Sequence, residues 1–421
     1  MAGIPAPSGP QQPHKTAMVL AGGAARGAYE VGVIRHVVDE VARSLGREVP
    51  LDLLCGTSIG ALNVSGLAIW ADEPRGRAER LEQYWLGLKL NDAVHVDALE
   101  TLGLGLGFLG LPKPRRLRGG ILDPAALERT VREAPFGRIA EHLRAGLLAA
   151  VTVSTTHVAS GRTFVFVQRA PAAGPLPSFA SDPTVFACEA VIRADHALAS
   201  AAIPLLFPAV KLDGAFHVDG SLRQNTPILP ARLLGARAML VVNAQWLPPA
   251  GALDPGIDEP FPGPQFLIGK AFDSLLLDRI DADIDQVTRL NAILAAGERE
   301  FGPTFVERLN RALGDQAGPQ APPQPLHPLH VVLVRASQNI GHLAAEYVRS
   351  PRFRKQRHGP IELLLRRLAE GEAHDEADFL SYLLFDGEFA RELIELGRTD
   401  AKAKHEQLCG LFERALRARG A

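Results

Sequence analysis

The heptapeptide Leu54-Cys55-Gly56-Thr57-Ser58-Ile59-Gly60 decides how the rest of this 421-residue chain is read. It has the form G-x-S-x-G, follows a strand-like apolar run at 51–55 and opens a helix-like run at 61–70. A serine on so sharp a strand-to-helix turn projects its hydroxyl out of the sheet. Gly56 and Gly60 then have a steric reason, because a side chain there would collide with the tightened backbone or the adjoining helix. Thr57 and Ile59 complete the elbow.

Working outward, the chain shows the same order once before. Residues 16–20 (TAMVL) are apolar and partly branched, and Gly22-Gly23 ends them. After Arg26-Gly27, Val31, Ile34, Val37, Val38, Val41 and Leu45 recur at helical spacing up to Gly46. Two successive strand-turn-helix units predict an α/β fold with a parallel sheet and right-handed crossovers. A helix is expected over 78–88, and another from Asp123-Pro124 to 132, with Pro124 in its first turn. Strands are expected over 147–154 and 162–168, and a helix-like segment over 185–201. Asp213-Gly214 reads as the turn of a hairpin formed by 210–212 and 215–218, and 236–243 as an apolar strand. Further on come a Pro/Gly-rich connection (246–264), helical regions (266–300 and 304–313) and a polar, proline-rich insertion (314–328). A last strand (330–335) and helices at 361–368 and 377–396 complete the chain. No internal repeat extends beyond the two opening units.

Hydrophobic content of 47% and charged content of 22% are those of a soluble globular protein. A net charge of -2 gives no ground for a nucleic-acid partner. Cys55, Cys188 and Cys409 are odd in number and widely spaced, which argues for a reducing compartment rather than a disulfide framework. No Cys/His spacing suggests a zinc site. Residues 1–14 read as a disordered leader without the order of a secretory signal. No stretch approaches the roughly 18 apolar residues of a membrane-spanning helix. A cytoplasmic protein is expected. Residues 102–118 run from glycine-alternating apolar residues into the basic Lys113-Pro-Arg-Arg-Leu-Arg118. They are either a buried loop with a solvated basic flank or a peripheral contact with the anionic inner membrane surface. The basic run at 349–358 has the same two readings.

A serine hydroxyl needs a base to become a nucleophile and donors for the oxyanion that its attack creates. The first glycine turn, Gly22-Gly23-Ala24-Ala25-Arg26-Gly27, can offer closely approaching amides at the positive end of a helix. Arg26 could orient that loop or meet an anionic part of a substrate. The loop lacks the Gly-Lys-Ser/Thr of a phosphate loop, and its adjacent Gly22 and Gly23 do not form a dinucleotide fingerprint. A purely structural tight turn stays open. As base, His330, His342, His358 and His374 are late enough for a histidine triad, but none has a recognisable catalytic context. Asp219, in Val218-Asp219-Gly220-Ser221, ends an apolar strand, and Gly220 leaves room beside it. A carboxylate shielded from water has a raised proton affinity and can act as a general base; the alternative is another Asp-Gly hairpin turn. Cys55 reads as a buried strand residue and His217 as structural.

In combination, Gly22-Gly-Ala-Ala-Arg-Gly27, Gly56-Thr-Ser-Ile-Gly60 and Asp219-Gly-Ser221 resemble the patatin-like phospholipases. So do the runs 199–208 (ASAAIPLLFP) and 218–227 (VDGSLRQNTP). The resemblance covers about 15–243, and bacterial members are matched again at 337–341 (SQNIG) and 381–386 (SYLLFD). It implies a three-layer α/β/α fold with a mostly parallel central sheet and a C-terminal helical region. It further implies a Ser58–Asp219 dyad, an oxyanion loop at Gly22 to Gly27, and Gly220 and Ser221 in support. The implied chemistry is hydrolysis of lipid acyl esters, as in a phospholipase A or lysophospholipase, with no metal or cofactor. Acyl transfer by the same dyad and a non-catalytic lipid-binding regulator are the alternatives. The chain departs from the family at Ala24, usually a third glycine, and at Ser221, usually Gly or Ala. Both departures bear on rate more than on mechanism. The expected organisation is a leader (1–14), a catalytic domain (15–245) and a mostly helical extension (246–421) with one strand at 328–336, packed on that domain.

Overall fold

The computed structural model describes residues 14–90, 95–96, 122–171, 173–179, 182–248, 280–316, 325–355, 362, 365–366, 369 and 376–420. Its strands are β1 (Lys15–Leu20), β2 (Leu53–Thr57), β3 (His95–Val96), β4 (Leu122–Asp123), β5 (Ala150–His157), β6 (Thr163–Arg169), β7 (Val185–Glu189), β8 (Val210–Leu212), β9 (Ala215–Asp219), β10 (Ala236–Asn243) and β11 (His330–Arg335). The helices of the first half are α1 (Gly27–His36), α2 (Ala42–Leu45), α3 (Ile59–Ile69), α4 (Gly76–Leu86), α5 (Ala125–Glu133), α6 (Gly137–Arg144), α7 (Ala194–Ser200) and α8 (Ile228–Leu233). Then follow α9 (Ile280–Phe301), α10 (Phe305–Gln316), α11 (Ile340–Arg349), α12 (Pro351–Lys355), α13 (Glu376–Leu383), α14 (Gly387–Ala403) and α15 (His405–Ala418). A π turn (Val37–Val41) joins α1 to α2.

The main sheet has nine strands, in the order β11-β10-β1-β2-β5-β6-β7, with β8 and β9 off that path. Each neighbouring pair from β11 through to β5 is parallel, β6 runs antiparallel to β5, and β7 runs parallel to β6. Parallel strands covered on both faces are apolar at nearly every position, and here alternate side chains enter two cores. Met18, Leu20, Leu54, Val151 and Leu240 face one core, packed under helices that include α1, α3, α4, α11 and α13–α15. Ala17, Val19, Leu53, Cys55 and Val241 face the other, covered by α8 and α9. The result is the mostly parallel, three-layer α/β/α arrangement.

One edge of β5 positions the site. β2 occupies it as far as the pair Thr57–Ser154. From Thr155 onward β9 takes over, antiparallel, with Asp219 opposite Thr155. The elbow after β2 and the end of β9 therefore meet at adjacent steps along one strand.

Two expectations need correcting. Residues 185–201 are not one helical segment: Val185–Glu189 pairs with β6, and the helix is confined to Ala194–Ser200. Branched and aromatic residues at 185–186 suit a pleated edge, and pairing with β6 overrides their helical spacing. The segment 377–396 breaks at 384–386, where the Asp386 side chain accepts the Glu388 and Phe389 amides and starts a new helix. The Asp213-Gly214 turn has φ of 45° and 95°, as a two-residue hairpin requires. The leader up to residue 13, segment 102–118, the first part of 266–300, 317–324 and most of 361–368 lie outside the described residues. Among the described residues no helix is long and apolar enough to cross a membrane.

Candidate active site

Ser58 is the N-cap of α3 and has φ 54° and ψ -125°, a conformation that side-chain-bearing residues rarely adopt. Two supports hold it there. A Cβ on Gly56 would overlap the Gly60 carbonyl, and one on Gly60 would overlap Leu20 O, so β2, α3 and β1 converge on contact that only glycine permits. The Ser58 amide donates to Ser200 Oγ at 2.8 Å, and Ser200 Oγ donates onward to Ser154 O at 2.6 Å. Thr57 is fully buried at the end of β2, and Ile59 begins α3.

Asp219 is completely buried and Ser58 is 2% exposed. Ser58 Oγ donates to Asp219 Oδ2 at 2.6 Å, while the Ser221 amide donates to Asp219 Oδ1 at 2.7 Å. The backbone of Asp219 is held as firmly, its amide by Ala202 O at 2.9 Å and its carbonyl by Thr156 Oγ1 at 2.9 Å. Gly220 packs directly on Ser154 O. Burial pushes the Asp219 carboxyl from 3.8 up to about 6, against the restraining hydrogen bonds from Ser58 and Ser221.

Other titratable residues lie elsewhere. His217 contacts Thr155 Oγ1 at 2.9 Å within a cluster of His157, Phe164 and Phe166, and burial lowers its pKa to about 4. His342 faces Glu346 at 3.2 Å and His330 faces Arg414 at 3.3 Å. His358 and His374 lie outside the described residues. Burial pushes the Cys55 thiol up to about 12, so it stays protonated in its strand. Among the described residues no group of three or more His, Cys, Asp or Glu could hold a metal ion.

The glycine loop divides its amides. The Gly22 amide donates to Asn225 O at 3.1 Å and the Arg26 amide to Gly23 O at 3.0 Å. The Gly27 amide donates to Ala24 O. Those of Gly23, Ala24 and Ala25 have no partner among the described residues. Ala24 carries the loop through the left-handed region at φ 48°. Beside Gly22, in the space a Cβ would need, lie Ser221 Oγ and Asn225 Oδ1, with Ser58 Cβ 3.1 Å from that point. Both oxygens are buried and have no hydrogen-bond partner among the described residues.

Arg26 turns away from the dyad. Its Nε donates to Ser381 Oγ at 2.7 Å, its terminal nitrogen meets Asp378 Oδ1 at 2.9 Å and Asp378 O at 3.2 Å, and its guanidinium lies 4.0 Å over the Tyr382 ring. The loop is therefore anchored to α13. Beneath it, Asn63 Nδ2 donates to Gly27 O at 3.1 Å and to Glu30 at 2.7 Å, while Trp85 Nε1 donates to Asn63 Oδ1 at 3.1 Å. Burial pushes the Glu30 carboxyl well above its usual range.

A model of the patatin-like phospholipase family matches residues 18–232, just over half of the chain. The chain belongs to the patatin-like phospholipase family. The matched span runs from β1 into α8 and holds the glycine loop, Ser58 and Asp219. Among solved structures, VipD from Legionella pneumophila is similar with a TM-score of 0.30 and 13% identity, over 91% of this chain and 67% of that chain. No curated protein matches the sequence. Membership supports lipid acyl hydrolysis as the general chemistry. Reasoning from sequence missed Ser200, Asn225 and the Arg26 anchors Asp378 and Tyr382. Ser200 and Asn225 stood inside runs that carry the patatin-like resemblance, as did Ser381 and Tyr382. Asp378 had no local signal, because only the tertiary fold brings α13 to the loop.

Proposed function

We propose that the protein is a serine lipid acyl hydrolase in which Ser58 is the nucleophile and Asp219 its general base. Ser58 Oγ attacks the ester carbonyl while Asp219 takes its proton. The amides of Gly23, Ala24 and Ala25 stabilise the oxyanion of the tetrahedral intermediate. Asp219 then protonates the departing alcohol, and an acyl ester remains on Ser58. Asp219 next accepts a proton from water, whose oxygen attacks the acyl carbonyl and releases the fatty acid as Ser58 recovers its proton.

The observation that carries this reading is the buried 2.6 Å bond between Ser58 Oγ and Asp219 Oδ2. A carboxyl raised to about 6 supports it, being largely ionised at neutral pH yet more basic than an ordinary aspartate. The reading extends to a cytoplasmic setting, in keeping with free thiols at Cys55, Cys188 and Cys409. The test is hydrolysis of a lipid panel and a chromogenic acyl ester by wild type, Ser58→Ala and Asp219→Asn, with products identified by mass. Both variants should lose turnover while staying folded, and a fluorophosphonate should label wild type but not Ser58→Ala. Near-normal turnover by Asp219→Asn would refute the dyad.

A further inference from the structure

Behind the elbow, α3, α4 and α5 line a partly open, mainly apolar cavity of about 170 Å³. Its wall begins at Ile59, the residue after the nucleophile, and continues along α3 through Leu62 and Ile69 to Trp70. Tyr84 and Trp85 of α4 close it from the other side. At roughly 10–15 Å³ of such space for each water-sized group, the cavity has room for on the order of ten of them. That suits one medium-length hydrocarbon tail.

Two arginines line it: Arg80 is paired with Glu73 at 3.1 Å and lies over the Trp70 ring, whereas Arg77 has no such partner among the described residues. Arg77 is 6% exposed, its Nε is buried without a hydrogen-bond partner, and its guanidinium makes no ion pair among the described residues. Glu48 attracts it only at longer range, and burial lowers its pKa to about 10. A guanidinium whose Nε is shut away from water without a partner is costly, and a protein normally answers such a charge with an anion. Arg77 also borders a second groove, lined by Arg43, Arg47 and Arg75 against Glu48 and Glu73. With Arg77 that makes four arginines and two glutamates where the apolar cavity meets the groove.

We infer that this cavity and Arg77 form a binding site for a single-chain anionic amphiphile, its tail lying along α3 and its carboxylate or phosphate head paired with Arg77. The occupant class is a fatty acid or a lysolipid of medium chain length. Ser58, Asp219 and the glycine loop are not among the residues that line the cavity.

The experiment uses the full chain carrying Ser58→Ala, so that no turnover intervenes. Trp70 and Trp85, two of the three tryptophans in the chain, line the cavity and report on it. A terminally brominated undecanoate should quench their fluorescence, and the matching brominated undecanol should bind at least about tenfold more weakly, the factor expected for one charge-assisted hydrogen bond. Arg77→Leu should still be quenched by the alcohol but should lose the preference for the acid; Arg77→Gln serves if the leucine variant does not fold. Competition by decyl phosphate and by decanoate then assigns the head group, the tighter competitor naming it. Inorganic phosphate alone should not displace the acid. Equal binding of acid and alcohol by the protein with Arg77 intact, an unchanged preference in the Arg77 variants, absence of quenching, or displacement by inorganic phosphate would each overturn the inference.

Discussion

Asparagine in place of Asp219 removes a buried negative charge while nearly keeping the shape of the side chain, and it should separate what the carboxylate does for catalysis from what it does to stability. The native carboxyl titrates at about 6 and an unfolded one near 3.8. Above about 6 both forms are ionised, and the native state carries the whole cost of the buried charge. As pH falls from about 6 toward 3.8 the native state takes up a proton that the unfolded state still lacks, so stability rises. Below 3.8 both are protonated and the cost is gone. At 1.36 kcal/mol per pKa unit the full swing is about 3 kcal/mol. Asparagine does not titrate, so Asp219→Asn escapes this swing entirely. It has a cost of its own of about 1–3 kcal/mol, because two hydrogen bonds to a charged carboxylate become neutral ones, Oδ1 accepting from the Ser221 amide and Nδ2 donating to Ser58 Oγ. The variant should thus be as stable as wild type, or up to about 2 kcal/mol more stable, near pH 7.5, and lose about 2.5 kcal/mol relative to wild type by about pH 4. Urea midpoints followed by tryptophan fluorescence across that range measure the difference; Glu30 and the other buried acids titrate in both proteins and cancel. A stability difference that stays flat with pH would refute the account of Asp219 as a destabilising buried charge.

The remaining predictions concern activity and the loop. The kcat/KM of wild type should fall with unit slope below about pH 6, where Asp219 gains its proton; a plateau down to pH 5 would contradict this. Asp378→Ala removes the 2.9 Å partner of Arg26 and should lower kcat by about tenfold or more with little change in KM, read in steady-state kinetics on a soluble ester. Ala24→Gly relieves the left-handed φ of 48°, and after the extra freedom of the unfolded glycine should raise stability by up to about 1 kcal/mol, seen as a higher thermal midpoint. Gly397→Val forces a side chain into Tyr29 O where α14 crosses α1, and should cost about 1–3 kcal/mol in the same measurement.

Local chemistry made much of this legible in the sequence. The two opening strand-turn-helix units, the hairpin turn at Asp213-Gly214 and the strands at 236–243 and 330–335 all have signatures within a few residues. The bounds of β10 and β11 agree with the sequence reading. The serine elbow declares itself through paired glycines, whose need is visible where α3 meets the end of β1. What stayed hidden is what distant segments do to one another. Nothing near Val185 says that the edge of β6 is waiting for a partner, so its helical spacing misled. Nothing near Arg26 says that its guanidinium belongs to α13 rather than to a substrate. The division of loop amides is equally invisible beforehand, because Asn225 takes that of Gly22 only once β9 has placed it there.

The anchoring of Arg26 has a consequence for the chain while it is being synthesised. Ser381 and Asp378 lie 355 and 352 residues downstream of the arginine that they hold. While the polypeptide is being synthesised, the glycine loop, the elbow and Asp219 all emerge long before α13 does. A nascent chain that has folded everything through β10 still lacks the α13 partners of its loop arginine. The fastening is made only once Asp378 and Ser381 have left the ribosome, so the order of synthesis itself withholds this anchor from the glycine loop until 352 to 355 further residues have been added.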